Sequence, residues 1–187
     1  RDGLRRLYGR AVGKPLSAKQ SRLVAEVLPT MSVPPAPASP LGALETFDER
    51  WMEVGFGGGE HLLHMAKLYP NVGLIGLEPF LNGVAKVLTG VDKEGLDNII
   101  LHHGDARDVI DRMDNNCLDK LFVLFPDPWP KPRHFKRRIL TADFIKQLGR
   151  VLKPGGEFRF ASDIITDVDW TLDRIMADGG FTFTPSG

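Results

Sequence analysis

The residue types that are rare in this sequence exclude several classes of protein. Cys117 is the only cysteine in 187 residues, so neither an intrachain disulfide nor a cysteine-built zinc site is possible. A single cysteine also fits a reducing compartment, and we expect the protein to be cytoplasmic. The longest uninterrupted apolar run, Leu121–Phe125, is far too short to cross a bilayer, and no membrane role is expected.

The sequence also has no excess of charge, since its formal net charge is zero. That balance argues against a strongly basic nucleic-acid binder, but the distribution of charge is uneven. Two basic stretches could contact phosphates, although such runs are more often solvated surface. The first stretch contains only Asp2 as an acid and the second contains none; their cations are Arg1, Arg5, Arg6, Arg10, Lys14, Lys19 and Arg22, and Lys131, Arg133, Lys136, Arg137 and Arg138.

Residues 1–42 are predicted to form a basic N-terminal extension. Ser17 and Gln20 can form a capping box for one helix, which Pro29 would end. A proline-rich connector follows, and its prolines exclude helix and inner strand. Because the sequence lacks an initiator Met and stops at Gly187 soon after a predicted strand begins, we expect both ends to be incomplete, with the C-terminal strands unfinished.

Residues 43–187 are predicted to form one α/β domain of Rossmann-like type, with a mostly parallel sheet flanked by helices on both faces. Short apolar runs alternate with longer amphipathic segments, as in repeated βαβ units. A turn is expected at Lys153–Gly156. The predicted strands are Trp51–Val54, Gly73–Leu77, Ile99–Leu101, Lys120–Leu124 and Glu157–Phe160, and the predicted helices are Glu60–Leu68, Leu81–Glu94, Ala106–Met113, Thr141–Leu152 and Ile165–Asp178.

A glycine-rich loop follows the first of these strands. Gly55, Gly57 and Gly59 would let the backbone approach a ligand at the carboxyl end of the strand, and Glu78 ends the next strand, where an acid can reach ribose hydroxyls. A nicotinamide dehydrogenase would need a third glycine where Glu60 stands. The spacing E-x-G-x-G-x-G, which begins at Glu53, instead resembles the first motif of Rossmann-like methyltransferases. Simple helix packing is the structural alternative for this loop.

A second acid, Asp105, follows the third predicted strand and precedes Ala106. Taken alone, Asp105 is more readily explained as a helix N-cap than as a ligand contact. Its position at the same edge of the sheet allows both roles. The likeness to Rossmann-like methyltransferases implies that this acid lies beside the adenine of S-adenosylmethionine, and that Glu53 faces the amino and sulfonium groups.

The most specific pattern is F-P-D-P-W-x-K-x-R-H-x-K-R-R, which starts at Phe125. Its prolines hold Asp127 at the carboxyl end of the central strand, and the basic run follows directly. Part of the pattern is similar to the [DN]-P-P-[YFW] loop of amino-group methyltransferases. The whole pattern, with the basic stretch near Tyr8–Leu16, closely resembles the tRNA (guanine-N7-)-methyltransferase family.

That resemblance implies a class I enzyme that moves a methyl group from S-adenosylmethionine to N7 of a guanine in tRNA, at guanosine 46 of the variable loop. It implies a catalytic role for Asp127 and an RNA-holding role for Asp163. The family's T-x-[FY]-E motif is absent, which we attribute to the missing end. The remaining predicted residues are Glu53, Gly55, Gly57, Gly59, Glu78, Asp105, Ala106 and Asp127 for the cofactor, and Lys131, Arg133, Lys136, Arg137 and Arg138 for RNA.

Guanine N7 already carries a lone pair, so its methylation needs no general base, and positioning should dominate. We expect Asp127 to orient the guanine or to offset its growing positive charge. Trp129 is equally compatible with base stacking and with burial. The histidines lack metal-ligand spacing, so no metal is expected. Two rival classes remain, an amino-group methyltransferase acting on another nucleic acid or on protein, and a noncatalytic RNA-binding module; an oxidoreductase is disfavoured by the glycine spacing.

Overall fold

A computed structural model describes residues 6–9 and 13–184. The described residues form a sheet of five parallel strands in the order β3-β2-β1-β4-β5. The strands are β1 Glu49–Val54, β2 Val72–Glu78, β3 Ile99–His103, β4 Leu118–Leu124 and β5 Leu152–Ala161. The α-helices are α1 Ala18–Glu26, α2 Glu60–Leu68, α3 Leu81–Glu94, α4 Ala106–Ile110, α5 Ala142–Val151 and α6 Ile165–Asp178.

Helices cover both faces of the sheet, as the alternating pattern predicts. On one face, Leu62 of α2 and Leu88 of α3 are fully buried with strand residues such as Leu74. On the other face, Ile110 of α4 and Leu148 of α5 pack in a second buried cluster. Every residue of β2 is buried, as expected of an inner parallel strand covered on both sides. The Rossmann-like prediction is therefore confirmed.

The N-terminal helix packs directly on this core. α1 begins after Ser17. The Ser17 hydroxyl accepts a hydrogen bond from the Gln20 N–H, and the Gln20 side-chain oxygen accepts one from the Ser17 N–H, so the predicted capping box is present. Leu23 of α1 is completely buried with the cluster on α2 and α3. In the proline-rich connector, the Val33 N–H donates to the Leu101 carbonyl at 2.8 Å, which adds an isolated bridge beside β3. The predicted boundary between the N-terminal extension, residues 1–42, and the α/β domain, residues 43–187, stays a prediction.

Two predicted boundaries differ from the structure by more than two residues. The helix predicted over Ala106–Met113 ends at Ile110. The turn predicted at Lys153–Gly156 lies inside β5: Leu118 pairs with Leu152, but Lys120 pairs with Glu157. The residues between them bulge out of the ladder, with Gly155 at a φ of 79°. The Pro-Gly-Gly sequence therefore bends a strand rather than connecting two elements.

Within residues 6–9 and 13–184, every helix is too short or too polar to pass through a membrane. The basic residues Arg1, Arg5 and Arg10 of the predicted extension, and the final residues 185–187, lie outside the described residues.

Candidate active site

The carboxyl ends of β1, β2, β3 and β4 bring the predicted site residues to one edge of the sheet. Parallel strands place the segments that follow them on the same side, and a crevice forms where the strand order reverses between β1 and β4. A cavity of about 560 Å³ opens there. Its lining consists of Gly57 and Gly58 of the glycine loop, Phe80, Asn82, Gly83 and Lys86 around the start of α3, Gly13 and Lys14 of the N-terminal segment, and Asp127.

The glycine loop is left-handed at Gly55, Gly57 and Gly59, with φ values of 69°, 58° and 77°. A Cβ atom built on Gly55 or Gly57 would meet no atom within 4 Å, so their backbone faces open space. A Cβ on Gly59 would lie 2.0 Å from Val87 Cγ2, and one on Gly83 would lie 2.0 Å from the Gly57 carbonyl. The loop therefore lines the cavity at Gly57 and Gly58, is open at Gly55, and packs tightly on α3 at Gly59.

Glu78 braces this loop from the end of β2. Its carboxylate accepts the Gly57 N–H at 2.8 Å and the Phe80 N–H at 2.9 Å. Burial raises the pKa of Glu78, the two N–H donors oppose that rise, and the negative charge of Asp127 adds to it. Glu78 thus couples the glycine loop to the residue that begins the turn into α3.

Glu53 is also buried, directly before the glycine loop. One of its oxygens lies 2.9 Å from Nδ1 of His61, a half-buried residue in the first turns of α2. The His61 ring packs against Phe122 of β4 with their centroids 4.8 Å apart. The sequence analysis considered the histidines only as possible metal ligands and missed this partner of Glu53, although a histidine eight residues after the acid was a possible signal.

Asp105 caps α4, as expected from its position. It accepts the Arg107 N–H at 3.0 Å and also binds the Arg107 guanidinium, which raises the pKa of that arginine. Asp105 and Ala106 are both buried at the end of β3. Their predicted contact with the adenine stays a prediction.

Asp127 is the one carboxylate among the described residues lining the cavity, and it is exposed. The segment around it is held in unusual backbone conformations, because Phe125 and Trp129 have φ values of 49° and 43°. The N-terminal segment approaches from the other side: a Cβ built on Gly9 would lie 3.2 Å from Asp127 Oδ2. The loop thus presents Asp127 to the cavity mouth.

The indole of Trp129 is half-buried in a small cluster of rings. Tyr8 and His134 meet it edge-on, with centroid distances of 6.4 and 5.8 Å. The Arg137 guanidinium lies 4.9 Å from the Trp129 ring and 5.1 Å from the Tyr8 ring. Trp129 and Arg137 therefore join the Asp127 loop to the N-terminal segment.

The basic run divides into exposed and buried cations. Lys131, Arg133 and Lys136 are exposed on and beside the short 3-10 helix Pro132–Arg137, and Asp163 is exposed just after β5 at the same edge. Arg138, unlike these three cations, is buried, with only 3% of its surface exposed. Its guanidinium donates to the Pro128 and Thr166 carbonyls and lies 3.5 Å from buried Asp167. In this position Arg138 connects the loop to α6, and its predicted RNA contact stays a prediction.

The N-terminal segment and the start of α3 contribute residues that the sequence analysis did not place at the cofactor site. The Asn82 side-chain amide donates to the Lys14 carbonyl at 2.7 Å, which holds this segment against the start of α3. Phe80 and Lys86 line the cavity beside it. Phe80 and Lys86 follow Glu78 by two and eight residues, and this position was an available signal, because the first turns of α3 lie near the carboxyl edge of the sheet.

The cavity suits a small charged molecule. Its volume lies within the range of small-molecule sites, roughly 300–1,000 Å³. Bare glycine backbone, one exposed carboxylate and the ammonium groups of Lys14 and Lys86 can meet a zwitterion that also carries a cationic centre. In the part of the chain that the structure describes, no group of three or more histidine, cysteine or acidic side chains is arranged to hold a metal.

Two solved methyltransferases have the same fold as this chain. The precorrin-6y C5,15-methyltransferase of Geobacter metallireducens superposes with a TM-score of 0.58 at 17% identity, over 74% of this chain and 66% of that chain. The 16S rRNA (adenine(1408)-N(1))-methyltransferase of Catenulisporales acidiphilia, solved with cosubstrate SAM, superposes with a TM-score of 0.51 at 18% identity, over 73% and 77%. The likeness to both structures shows that this chain has their Rossmann-like fold.

The proteins with similar sequences identify the family more closely than the structural neighbours do. A family model described as "Putative methyltransferase" matches residues 48–186. The tRNA (guanine-N(7)-)-methyltransferase of Caulobacter vibrioides is 43% identical over 178 residues, which are 95% of this chain and 79% of that protein. A protein of the same name from Erythrobacter litoralis is 51% identical over 163 residues, 86% and 69% of the two chains. The chain belongs to the tRNA (guanine-N(7)-)-methyltransferase family.

Proposed function

We propose that this protein transfers a methyl group from S-adenosylmethionine to N7 of a guanine in tRNA, at guanosine 46 of the variable loop. The observation that carries the proposal is the position of Asp127, exposed at the mouth of the cavity and followed at once by Lys131, Arg133 and Lys136. An acid at the reaction centre and cations beside it suit a base whose backbone phosphates need neutralising. Because tRNA is the proposed substrate, the proposed compartment is the cytoplasm.

The cofactor is proposed to lie across the glycine loop. The open backbone at Gly55 and Gly57 is where the methionine part can approach, while Gly59 fixes the loop on α3. Glu78 and Asp105 follow β2 and β3 and are proposed for the ribose and the adenine, with Ala106 beside the latter. Glu53 and Asp127 flank the region of the amino and sulfonium groups. S-adenosylmethionine, when bound, supplies an electrophilic methyl group on its sulfonium.

The chain's own residues then have to position the nucleophile. N7 of guanine presents a lone pair, so no side chain needs to remove a proton before methyl transfer. Asp127 is proposed to hold the guanine in line with the methyl group and to offset the positive charge that grows on the base. The flanking prolines Pro126 and Pro128 restrict the loop, and the Arg138 guanidinium holds the Pro128 carbonyl at 2.8 Å.

The RNA surface is proposed to comprise the exposed cations Lys131, Arg133 and Lys136, with Asp163 beside them. Arg137 contributes through its place between Tyr8 and Trp129. Arg138 is left out of this surface because its guanidinium is committed inside the protein.

The test is methyl transfer from labelled S-adenosylmethionine to unmodified tRNA by the natural full-length protein. The product is mapped by borohydride reduction and aniline cleavage, which cut the chain at 7-methylguanosine. Cleavage at one variable-loop guanosine is the expected result. Labelled RNA without cleavage would support an amino-group methyltransferase instead, and tRNA binding without any transfer would support a noncatalytic RNA-binding module.

A further inference from the structure

Phe125 is an exposed aromatic residue in a strained position beside the site. It follows β4 directly, at the carboxyl end of the strand next to the crevice. Its side chain is 66% exposed. Its φ of 49° lies in the left-handed region, which a bulky residue seldom adopts. Neither property is explained by packing of the fold.

The backbone of Phe125 is nevertheless firmly placed. Its N–H donates to the Ala161 carbonyl at the end of β5, with the atoms 2.7 Å apart. Pro126 follows and restricts the next peptide. The strand ends therefore fix the main chain and direct the ring outward. Strained residues that the surrounding structure holds in place cluster at sites that bind ligands.

The other aromatic side chains of this loop are already engaged. Trp129 contacts Tyr8, His134 and Arg137. Phe135 packs on Trp170 and under the Arg138 guanidinium. Among residues 6–9 and 13–184, no aromatic ring and no guanidinium packs against the Phe125 ring. In the described part of the chain, the Phe125 ring is thus the aromatic ring of this loop that is available to a ligand. It lies two residues before Asp127.

We propose that Phe125 stacks on a base of the tRNA substrate beside the methylation site; this inference rests on the proposed function. Single-stranded or looped bases are commonly held on exposed aromatic rings, with cations nearby for the phosphates. Lys131 and Lys136 supply such cations in the same loop. The backbone strain at Phe125 keeps the ring available for this contact.

The test compares Phe125→Ala, Phe125→Gly, Phe125→Leu and Phe125→Trp in the full-length protein. Loss of a stacked base should weaken tRNA binding by roughly 5- to 150-fold in the Ala, Gly and Leu variants. Phe125→Trp keeps a ring and should bind tRNA as the wild type does. Affinity for S-adenosylmethionine should not change. Leu68→Ala, an exposed apolar residue at the end of α2 on the opposite edge of the sheet, is the control.

Thermal unfolding separates binding from folding. Glycine adopts a positive φ without strain, so Phe125→Gly should raise the melting temperature while it weakens tRNA binding. The salt dependence of binding should be unchanged, because no charge is removed. Abasic positions scanned through the variable loop should reveal one tRNA that wild type and Phe125→Ala bind equally, and that position identifies the stacked base.

The inference is overturned if Phe125→Ala binds tRNA like the wild type, if Phe125→Leu restores full binding, or if the melting temperature of Phe125→Gly falls together with both affinities. When the wild type methylates tRNA but Phe125→Ala, Phe125→Gly and Phe125→Leu bind tRNA as the wild type does, only this inference fails. When the wild type neither methylates nor binds tRNA, the proposed function fails as well.

Discussion

The acidic residues at the carboxyl edge of the sheet differ in what they already hold. Glu78 accepts two backbone N–H groups, Asp105 caps a helix and binds Arg107, and Glu53 lies against His61. Each of these carboxylates shapes the site by fixing a neighbouring segment. Asp127 is exposed at the cavity mouth, where its charge can act on a substrate.

Replacing Asp127 with asparagine keeps the shape of the side chain and removes its charge. We expect kcat for tRNA methylation to fall by about 100-fold, the scale seen when one electrostatic group at a reaction centre is lost. Affinity for S-adenosylmethionine, measured by calorimetry, should fall less than kcat does, because the glycine loop and Glu78 remain. Asp97→Asn, an exposed acid in the turn before β3, is the control. Full turnover by Asp127→Asn would refute the proposed role.

Affinity for S-adenosylmethionine should depend on pH through Glu78. Burial raises the pKa of this carboxyl in the free protein, so protonation sets in at a higher pH than for an exposed glutamate. A cationic ligand prefers the ionised form, and its affinity should therefore fall as pH is lowered through the raised pKa. The free energy of unfolding of the free protein should change in the opposite sense. The folded state binds this proton more tightly than the unfolded state does, so the contribution of Glu78 to stability is lost as pH rises through the raised pKa.

Calorimetric titrations between about pH 8 and about pH 5 would measure this effect, a range chosen to include a raised carboxyl pKa. Glu78→Gln should flatten the dependence. Glu94→Gln replaces a glutamate whose pKa is lowered by Lys67, and it should leave the profile as in the wild type. An identical profile for Glu78→Gln would assign the titration to another group.

Which single residues could be predicted from sequence depended on whether chain position alone decides their place. Glu78 and Asp105 end or follow strands, so the sheet carries them to the edge. Arg138 was predicted among the RNA contacts because the basic run reads as one exposed unit. Its burial beside Asp167 depends on α6, which is distant in sequence, and charge patterning does not reveal it.

At the scale of elements, the site depends on the close approach of α3 to the glycine loop. Gly83 in the first turn of α3 faces the Gly57 carbonyl, with no room for a methyl group. This approach places Asn82 and Lys86 of α3 beside the loop, on the same cavity. Helix and loop therefore form one wall.

Gly83→Ala should push α3 away from the loop. We expect overpacking to lower the free energy of unfolding by about 1–3 kcal/mol and affinity for S-adenosylmethionine to fall. The matched change is Gly149→Ala in α5, where the added Cβ would lie 3.4 Å from the Phe181 ring. That variant should be as stable as the wild type, or more stable by up to about 1 kcal/mol through helix propensity. Wild-type cofactor affinity in Gly83→Ala would contradict the shared wall.

Hydrophobic periodicity predicted each strand and helix of the core to within a few residues. It could not predict the bulge in β5, since the register there is set by Leu118 and Lys120 on the neighbouring strand. The same limit explains the N-terminal segment. The sequence predicts a helix after Ser17. The contact of Lys14 with Asn82, however, joins residues 68 apart in sequence, so no local pattern predicts it.

At the scale of the whole molecule, zero net charge conceals a polarised surface. Lys131, Arg133 and Lys136 are exposed together at the carboxyl edge of the sheet. Neutral overall composition limits nonspecific attraction, while a local cluster can still neutralise phosphates. The sequence showed the cluster, and the fold shows which members are exposed.

Removing these cations should reduce the salt dependence of tRNA binding. Each of Lys131→Ala, Arg133→Ala and Lys136→Ala is expected to lower the slope of log Kobs against log salt by about one. Lys93→Ala, at the far end of α3, should leave the slope unchanged. The slopes can be measured by filter binding across a salt series. A wild-type slope in all three variants would place the RNA on another surface.

The order of the strands has an evolutionary consequence. The stretch from β1 to β3 carries the glycine loop and its acids, whereas the stretch from β4 to α6 carries Asp127, the cations and Asp163. The two stretches are consecutive in the sequence, and their strands join where β1 pairs with β4. Mutations that retarget the second stretch to a new acceptor can therefore accumulate while the first is inherited intact, so lineages with different acceptors can descend from one ancestral cofactor half.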